Sequence, residues 1–255
     1  MARRATAIDQ ERAASDGVVL VLDAGASLVG AWESFASEGA IIVEAMNAMG
    51  YDAMAVGRGD LDLGLEALRQ RAAEAQFPFL AANVVSTTDG EPIFEPYVIL
   101  ERAGTRIGLI GIVDQAGEAP AAILGQATIE DPVSAAAAAV AEVRPQVDLL
   151  IVLSRLGLAA DRDLAAAVPG IDIIVGGNTN EIMEAPVPVG HTLIVQQGYR
   201  GEWLGRLDAQ FDAQGMPVVA TERSIALTED YADAPQLAAR VAEWLQAYPE
   251  PTLAP

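Results

Sequence analysis

Four short apolar runs, each ending in a turn of small residues, constrain this chain more than any other feature. They are residues 18–25 (VVLVLDAG), 52–57 (DAMAVG), 148–154 (DLLIVLS) and 171–177 (IDIIVGG). Each is too short for a typical helix and too apolar for a strand with one wet face, so each reads as a buried strand. Helical spacing fills the intervals between them. Residues 37–49 carry apolar side chains at Ile41, Ile42, Ala45, Met46 and Met49, and Gly50 stops them. Residues 65–75, 131–144 and 161–168 also read as helices, with Asp131 as N-cap and Pro132 in the first turn of the second. Strand and helix alternate up to about residue 175, which gives an α/β chain.

The remaining segments modify that plan. Residues 2–15 read as a first helix and 77–84 as a strand entered through Pro78. Residues 97–113 read as a hairpin turned at Ala103-Gly104. Three late strands follow, in TLIVQQG, WLGRLDAQFD and VVATERSIAL, and a last helix spans 234–247. A run of late strands implies mixed sheets rather than a purely parallel one. With no linker or repeat, the expectation is a single domain over residues 1–255. The stretch 114–127, rich in Gly, Ala and Pro, is the longest irregular segment.

Composition removes several kinds of chemistry. The chain has 36 acidic and 15 basic residues, a formal charge of −21, so nucleic acid and anionic lipid surfaces are excluded as partners. Every basic residue is Arg. With no Lys and no Cys, the sequence offers no lysine or thiol nucleophile, no disulfide and no Cys-ligated zinc. His191 is the only His, and its place in VGHTLIV, with no second His, marks a surface or turn residue. Trp32, Trp203 and Trp244 are scattered as packing residues are, and Asp161 and Asp163 read as charges at a helix start. No apolar run approaches the ~20 residues of a membrane span. The first sixteen residues lack the apolar core of a secretory signal, so the expected compartment is the cytoplasm, or else this is a processed mature form.

The strand ends supply the candidate site loops: DAGAS (23–27), GRGD (57–60), LSRLG (153–157) and GGNTN (176–180). Together with EAMNAMGYDAMAVG, FPFLAANV and IVQQGYRGEWLGRLD, they resemble the catalytic domain of bacterial 5′-nucleotidases, which are calcineurin-like metallophosphoesterases. The resemblance runs from about residue 2 to 248. It implies a four-layer sandwich, two mixed sheets packed together with helices on both outer faces. It also implies a pair of metal ions, held by loops that read DAGD, GNHD, SHLG and GGHTH, which activate a water and clamp a phosphate.

This sequence departs from that pattern at the working positions. Ala26 stands at the metal-bridging Asp, Arg58 at the ligand Asn and Gly59 at the catalytic His. Arg155, Asn178 and Asn180 stand at three further His positions. Asn ligates metals poorly and Arg repels a divalent ion. Asp23, Asp60 and the glycines remain. The expectation is a vestigial site with no catalytic residue, no metal and no cofactor. The family's first strand, with its Asp-x-His motif, and its C-terminal substrate-binding domain are not in this sequence.

The function that follows is a pseudoenzyme acting as a binding or assembly subunit. Two alternatives stand beside it. One is a weak or altered phosphoester hydrolase with ligands from another chain. The other is an anion- or nucleotide-binding module using the guanidinium groups of Arg58 and Arg155. Against the latter stands a structural reading in which Arg58 pairs with Asp60 and Arg155 with Asp23. Without the family's first strand, the edge of 18–25 is expected to recruit another polypeptide or a second copy, or to be covered by the helix at 2–15. The related family is often periplasmic or extracellular, which leaves the compartment open.

Overall fold

The computed structural model describes residues 1–115, 117, 119–212 and 217–251. Its helices are α1 (Ala2–Ala13), α2 (Trp32–Ala36), α3 (Ala40–Met49), α4 (Arg58–Leu61), α5 (Leu65–Glu74), α6 (Pro132–Val143), α7 (Leu158–Ala167) and α8 (Pro235–Ala247). The strands begin with β1 (Leu22–Asp23), β2 (Ala53–Ala55), β3 (Phe79–Leu80), β4 (Val84–Ser86), β5 (Tyr97–Arg102), β6 (Thr105–Ile112) and β7 (Ala127–Ile129). They continue with β8 (Leu149–Ser154), β9 (Ile173–Gly176), β10 (Val187–Val189), β11 (Thr192–Gln196), β12 (Trp203–Phe211) and β13 (Pro217–Ala226).

Two sheets organise the molecule. The larger has the order β10-β11-β9-β8-β6-β5, parallel in its centre and antiparallel at both edges. The smaller is β1-β2-β3, with parallel pairing throughout. Two ribbons, β12-β13 and β4-β7, complete the strand pairings. One apolar layer lies between the sheets, joining Ala53, Ala55 and Leu80 to Ile107, Leu109, Ile151 and Leu153. Outside the larger sheet, Ile110, Val152 and Ile174 meet Val140 of α6 and Leu164 of α7. Outside the smaller sheet, Met54 and Phe79 pack with Met46 of α3, Leu68 of α5, Ile8 of α1 and Trp244 of α8. The expected four layers are therefore present: helices, sheet, sheet, helices.

The sheets meet closely at one glycine. A Cβ on Gly111 of β6 would lie 2.2 Å from the Leu80 carbonyl oxygen of β3. Only a residue without a side chain lets the two backbones approach this far.

Helix ends follow the local chemistry of the sequence. Asp131 accepts the Ser134 N–H and caps α6. Gly50, in the left-handed region, ends α3, and Arg12 donates to the Met49 and Gly50 carbonyls at 2.8 and 2.7 Å. Several expectations are corrected. The helix expected over 37–49 starts only at Ala40, because Glu38 and Gly39 before it are both at positive φ, and the short α2 that precedes them was not anticipated. The strand expected over 77–84 is split: β3 joins the smaller sheet and β4 pairs with β7. The helix expected at 161 starts at Leu158, and β10 was not anticipated. The strand expected over 18–25 is regular only at Leu22–Asp23, because β1 is the outer strand of its sheet.

Candidate functional site

The four strand-end loops lie in two interlocked pairs. The first pair joins residues 23–27, after β1, to residues 57–60, after β2. A Cβ on Gly25 would meet the Ala55 carbonyl oxygen at 2.9 Å, and one on Gly57 would meet the Ala26 nitrogen at 2.3 Å, so both glycines are required by contact. Asp60 is fully buried beneath them. Its Oδ2 accepts the N–H groups of Ala26 and Gly57, both at 2.8 Å, and its Oδ1 accepts that of Leu28 at 2.9 Å. Burial pushes its carboxyl up to about 6 against the effect of those three bonds. Asp23 is turned inward as well: its Oδ1 accepts the Gly25 N–H at 2.8 Å and the Ser27 hydroxyl at 2.7 Å.

The second pair joins residues 153–157, after β8, to residues 176–180, after β9. The double glycine has a packing reason at each position. A Cβ on Gly176 would lie 2.6 Å from Asp161 Oδ2, and one on Gly177 would lie 2.5 Å from Arg155 Nη1. Asn178 and Asn180 have φ of 80° and 59°, the left-handed region, which Asn tolerates better than most residues. Both are exposed. Gln196, at the end of β11 and almost fully buried, organises this loop. With its amide oriented to satisfy both ends, it donates to the Gly177 carbonyl at 2.9 Å and accepts the Glu181 N–H at 2.8 Å. Nothing in the residue pattern singled out Gln196; a polar residue closing an apolar strand was the available signal.

A cavity of about 1420 Å³ opens between the pairs, with Asp23, Ala26, Arg155 and Asn180 in its wall. Asp60 lies underneath, and Arg58, Gly59 and Asn178 are not part of this wall. The expected ion pairs do not form: Asp60 and Asp23 bind backbone N–H groups and Ser27, not Arg58 or Arg155. A carboxylate already ringed by N–H groups gains little from a guanidinium outside the ring. Arg58 lies on the other side of its loop, with Nη2 3.8 Å from the Cβ position of Gly117. The two arginines are thus not brought together in the cavity.

Asp161 also departs from expectation. It is buried, accepts the Ser154 hydroxyl and leaves Oδ2 without a partner among the described residues. Burial pushes its carboxyl up to about 7. Asp163 stays exposed on the helix surface. His191 sits in the turn between β10 and β11, before β11, whereas Gln196 at the other end of that strand meets the site loops. Trp244 is buried and Trp203 half-buried, whereas Trp32 is partly exposed and donates to the Pro249 carbonyl. Among the described residues no group of three or more His, Asp or Glu side chains is placed to hold a metal ion. The residues present do not fit a dinuclear centre: Asp60 is turned to backbone N–H groups, Asp23 is the one carboxylate of these loops in the cavity wall, and the rest of the loops offer methyl, amide and guanidinium groups. No helix among the described residues is long and apolar enough to cross a membrane.

No protein-family model matches the chain. The 5′-nucleotidase of Vibrio cholerae is 32% identical over 83% of this chain and 45% of its own length. The chain spans about half the length of the curated relatives it matches. Among solved structures, the sulfate thiohydrolase SoxB of Thermus thermophilus superposes with a TM-score of 0.90, at 23% identity, over 100% of this chain and 48% of that one. The calcineurin-like phosphoesterase YfkN of Bacillus subtilis gives 0.84, at 22% identity, over 97% and 89%. These two likenesses carry the fold. The chain is related to the 5′-nucleotidases over about half of their length, and it has the fold of the calcineurin-like phosphoesterases.

Proposed function

We propose that this chain is a member of the family that does not hydrolyse phosphoesters and serves as a binding or assembly subunit. The observation that carries the reading is the state of the site loops. They keep their interlocked backbone, yet present Ala26, Arg58, Gly59, Arg155, Asn178 and Asn180 where the resemblance asks for metal ligands and a catalytic His. The two remaining carboxylates are spent on stapling backbone. A selected surface preserves a fold without preserving the chemistry of its site.

The test is metal analysis of the purified chain after dialysis against Mn, Zn and Fe, paired with a 5′-nucleotide hydrolysis assay. Substoichiometric metal and no phosphate release are expected. Two tightly held equivalents, or turnover abolished by a chelator, would overturn the reading in favour of an altered hydrolase.

A second reading rests on Arg155 alone. Its guanidinium packs over Gly177 at the cavity wall, with no ion pair among the described residues. An anion held there raises the melting temperature as phosphate or a nucleotide is titrated, because the ligand binds only the folded state. An Arg155→Ala variant that shows the same rise would remove this reading.

A further inference from the structure

The sequence holds two Asp-Gly pairs, Asp16-Gly17 and Asp89-Gly90, and no Asn-Gly pair. Glycine is the residue that least crowds its own amide nitrogen, so both pairs are open to the same internal reaction. The Gly nitrogen attacks Cγ of the neutral Asp carboxyl and an N–C bond forms. The carboxyl O–H leaves with the amide proton as one water. The resulting five-membered imide then takes up a water. Opening at the side-chain carbonyl restores Asp. Opening at the main-chain carbonyl leaves the backbone running through Cβ, which is an isoaspartyl link. Water is the one co-reactant. The local sequence does not rank the pairs, since a hydroxyl residue precedes each, Ser15 and Thr88. Their folded surroundings do.

Asp89-Gly90 lies in the turn after β4 and is tied at every group the reaction needs. The Gly90 N–H donates to the Ser86 carbonyl at 2.9 Å, so the attacking nitrogen is engaged. Asp89 Oδ1 accepts the Glu91 N–H at 3.2 Å, and the Ser86 hydroxyl also bonds to this carboxyl. These bonds, that from Ser86 foremost, hold the carboxyl below the usual carboxylate range. Fewer molecules then carry the neutral acid, the form that loses water. The turn itself is pinned. Ser86 donates its N–H to the Glu91 carbonyl at 2.8 Å, and Thr87 bonds the Gln126 and Gly125 carbonyls at 3.0 and 2.8 Å.

Asp16-Gly17 lies in the bend between α1 and Val21 and lacks those ties. The Gly17 N–H makes one contact, with the Ser15 hydroxyl oxygen at 3.4 Å, beyond the usual range of an N–H···O bond. Among the described residues neither Asp16 nor Gly17 takes part in a backbone–backbone hydrogen bond. Both are exposed, and no described atom lies within 4 Å of the Gly17 Cβ position. The chain is held on either side of the bend. Arg12 bonds the carbonyls that end α3, and Val21 donates to Asp52 Oδ2 and accepts the Asp52 N–H, both at 2.8 Å. Freedom is thus confined to the bend, where the carboxyl can turn onto the nitrogen.

We propose that Asp16-Gly17 is a site of isoaspartate formation in the folded protein, while Asp89-Gly90 is shielded by its turn. The modified residue 16 is a substrate for carboxyl methylation by an enzyme that recognises isoaspartate, because its α-carboxylate stands on a side branch. The product lengthens the main chain by one methylene. With α1 and Val21 anchored, the bend absorbs that length. The inference goes beyond the reading of the chain as a binding subunit and does not depend on it.

The test is to age the full chain at neutral pH and body temperature and to map both pairs with time. Samples are digested with a protease that cuts before Asp and not before isoaspartate, and are labelled with purified protein isoaspartyl methyltransferase and its methyl donor. Isoaspartate at Asp16 should accumulate about ten-fold or more faster than at Asp89, because local opening must precede attack in the tied turn. In guanidinium chloride, where the turn is lost, the two pairs should convert at similar rates. Gly17→Val, whose branched side chain crowds the nitrogen, should remove the methyl label from Asp16 and leave the melting curve unchanged. Ser86→Ala should speed conversion at Asp89. Equal rates at the two pairs in the folded chain, or faster conversion at Asp89, overturn the proposal. A rate ratio that unfolding does not change overturns it too, as does full labelling of the Gly17→Val variant.

Discussion

Asp60 holds Ala26 against Gly57: one carboxylate oxygen, Oδ2, accepts the N–H of both at 2.8 Å, and the other reaches Leu28. A residue that the resemblance places in a catalytic loop is here the staple between two loops. Removing it strands three donors, two of them buried and one half-buried, and each buried one costs about 1–3 kcal/mol. Asp60→Ala is expected to lower stability by roughly 3 kcal/mol or more in urea unfolding. Asp60→Asn, which loses acceptor capacity at one oxygen only, should cost clearly less. Equal, small losses for both would show that the staple is not made.

Ala26 sits at φ 58°, where a Cβ is penalised by roughly 1–2 kcal/mol. Ala26→Gly relieves that strain and loses roughly 0.4–1 kcal/mol to unfolded-chain entropy. A net gain of about 0.5 kcal/mol is expected in the denaturation midpoint. Gly57→Ala is the opposite case, because its Cβ would lie 2.3 Å from the Ala26 nitrogen. It should destabilise by about 1–3 kcal/mol. A neutral Gly57→Ala would mean that the loops do not interlock.

The pH dependence follows from Asp161. Its folded carboxyl is raised by burial from 3.8 to about 7. A raised acid group contributes stability that is fully present below about pH 4 and is lost as pH rises through about 7. Asp161→Asn removes that titration and keeps a neutral polar group beside Ser154. The variant's unfolding midpoint, followed from pH 5 to 8, should fall less steeply than that of the parent chain. Parallel curves would show that Asp161 does not titrate in this window.

Gly111 faces the Leu80 carbonyl with no room for a methyl group. Gly111→Ala must push the two sheets apart, at a cost of about 1–3 kcal/mol or more. Gly104→Ala is a control for the loss of a glycine at positive φ, since nothing lies within 4 Å of its Cβ position. If thermal unfolding shows the Gly104 change to cost more than the Gly111 change, the close approach of the sheets is refuted.

Local pattern determined much of this molecule. The apolar runs at 148–154 and 171–177, the cap at Asp131 and the stop at Gly50 place strands and helices within a few residues of where they lie, because solvent exclusion and backbone capping act over one or two turns. The same pattern located the four loops, since spacing from a strand end is a local property, and the resemblance to a family marked their substitutions. Tertiary structure decided the rest. Whether Asp23 and Asp60 face a cavity or their own backbone depends on how β1 and β2 bring two loops together, 34 residues apart at Ala26 and Asp60. Gly176 and Gly177 were legible as a turn, but the reason for each lies in Asp161 and Arg155, delivered by the neighbouring strand and helix. The run 18–25 was legible as apolar, yet only two of its residues form a regular strand. Its hydrogen-bonding potential was written in the sequence; whether that potential is met depends on a neighbour at its outer edge, and that is decided by what packs there.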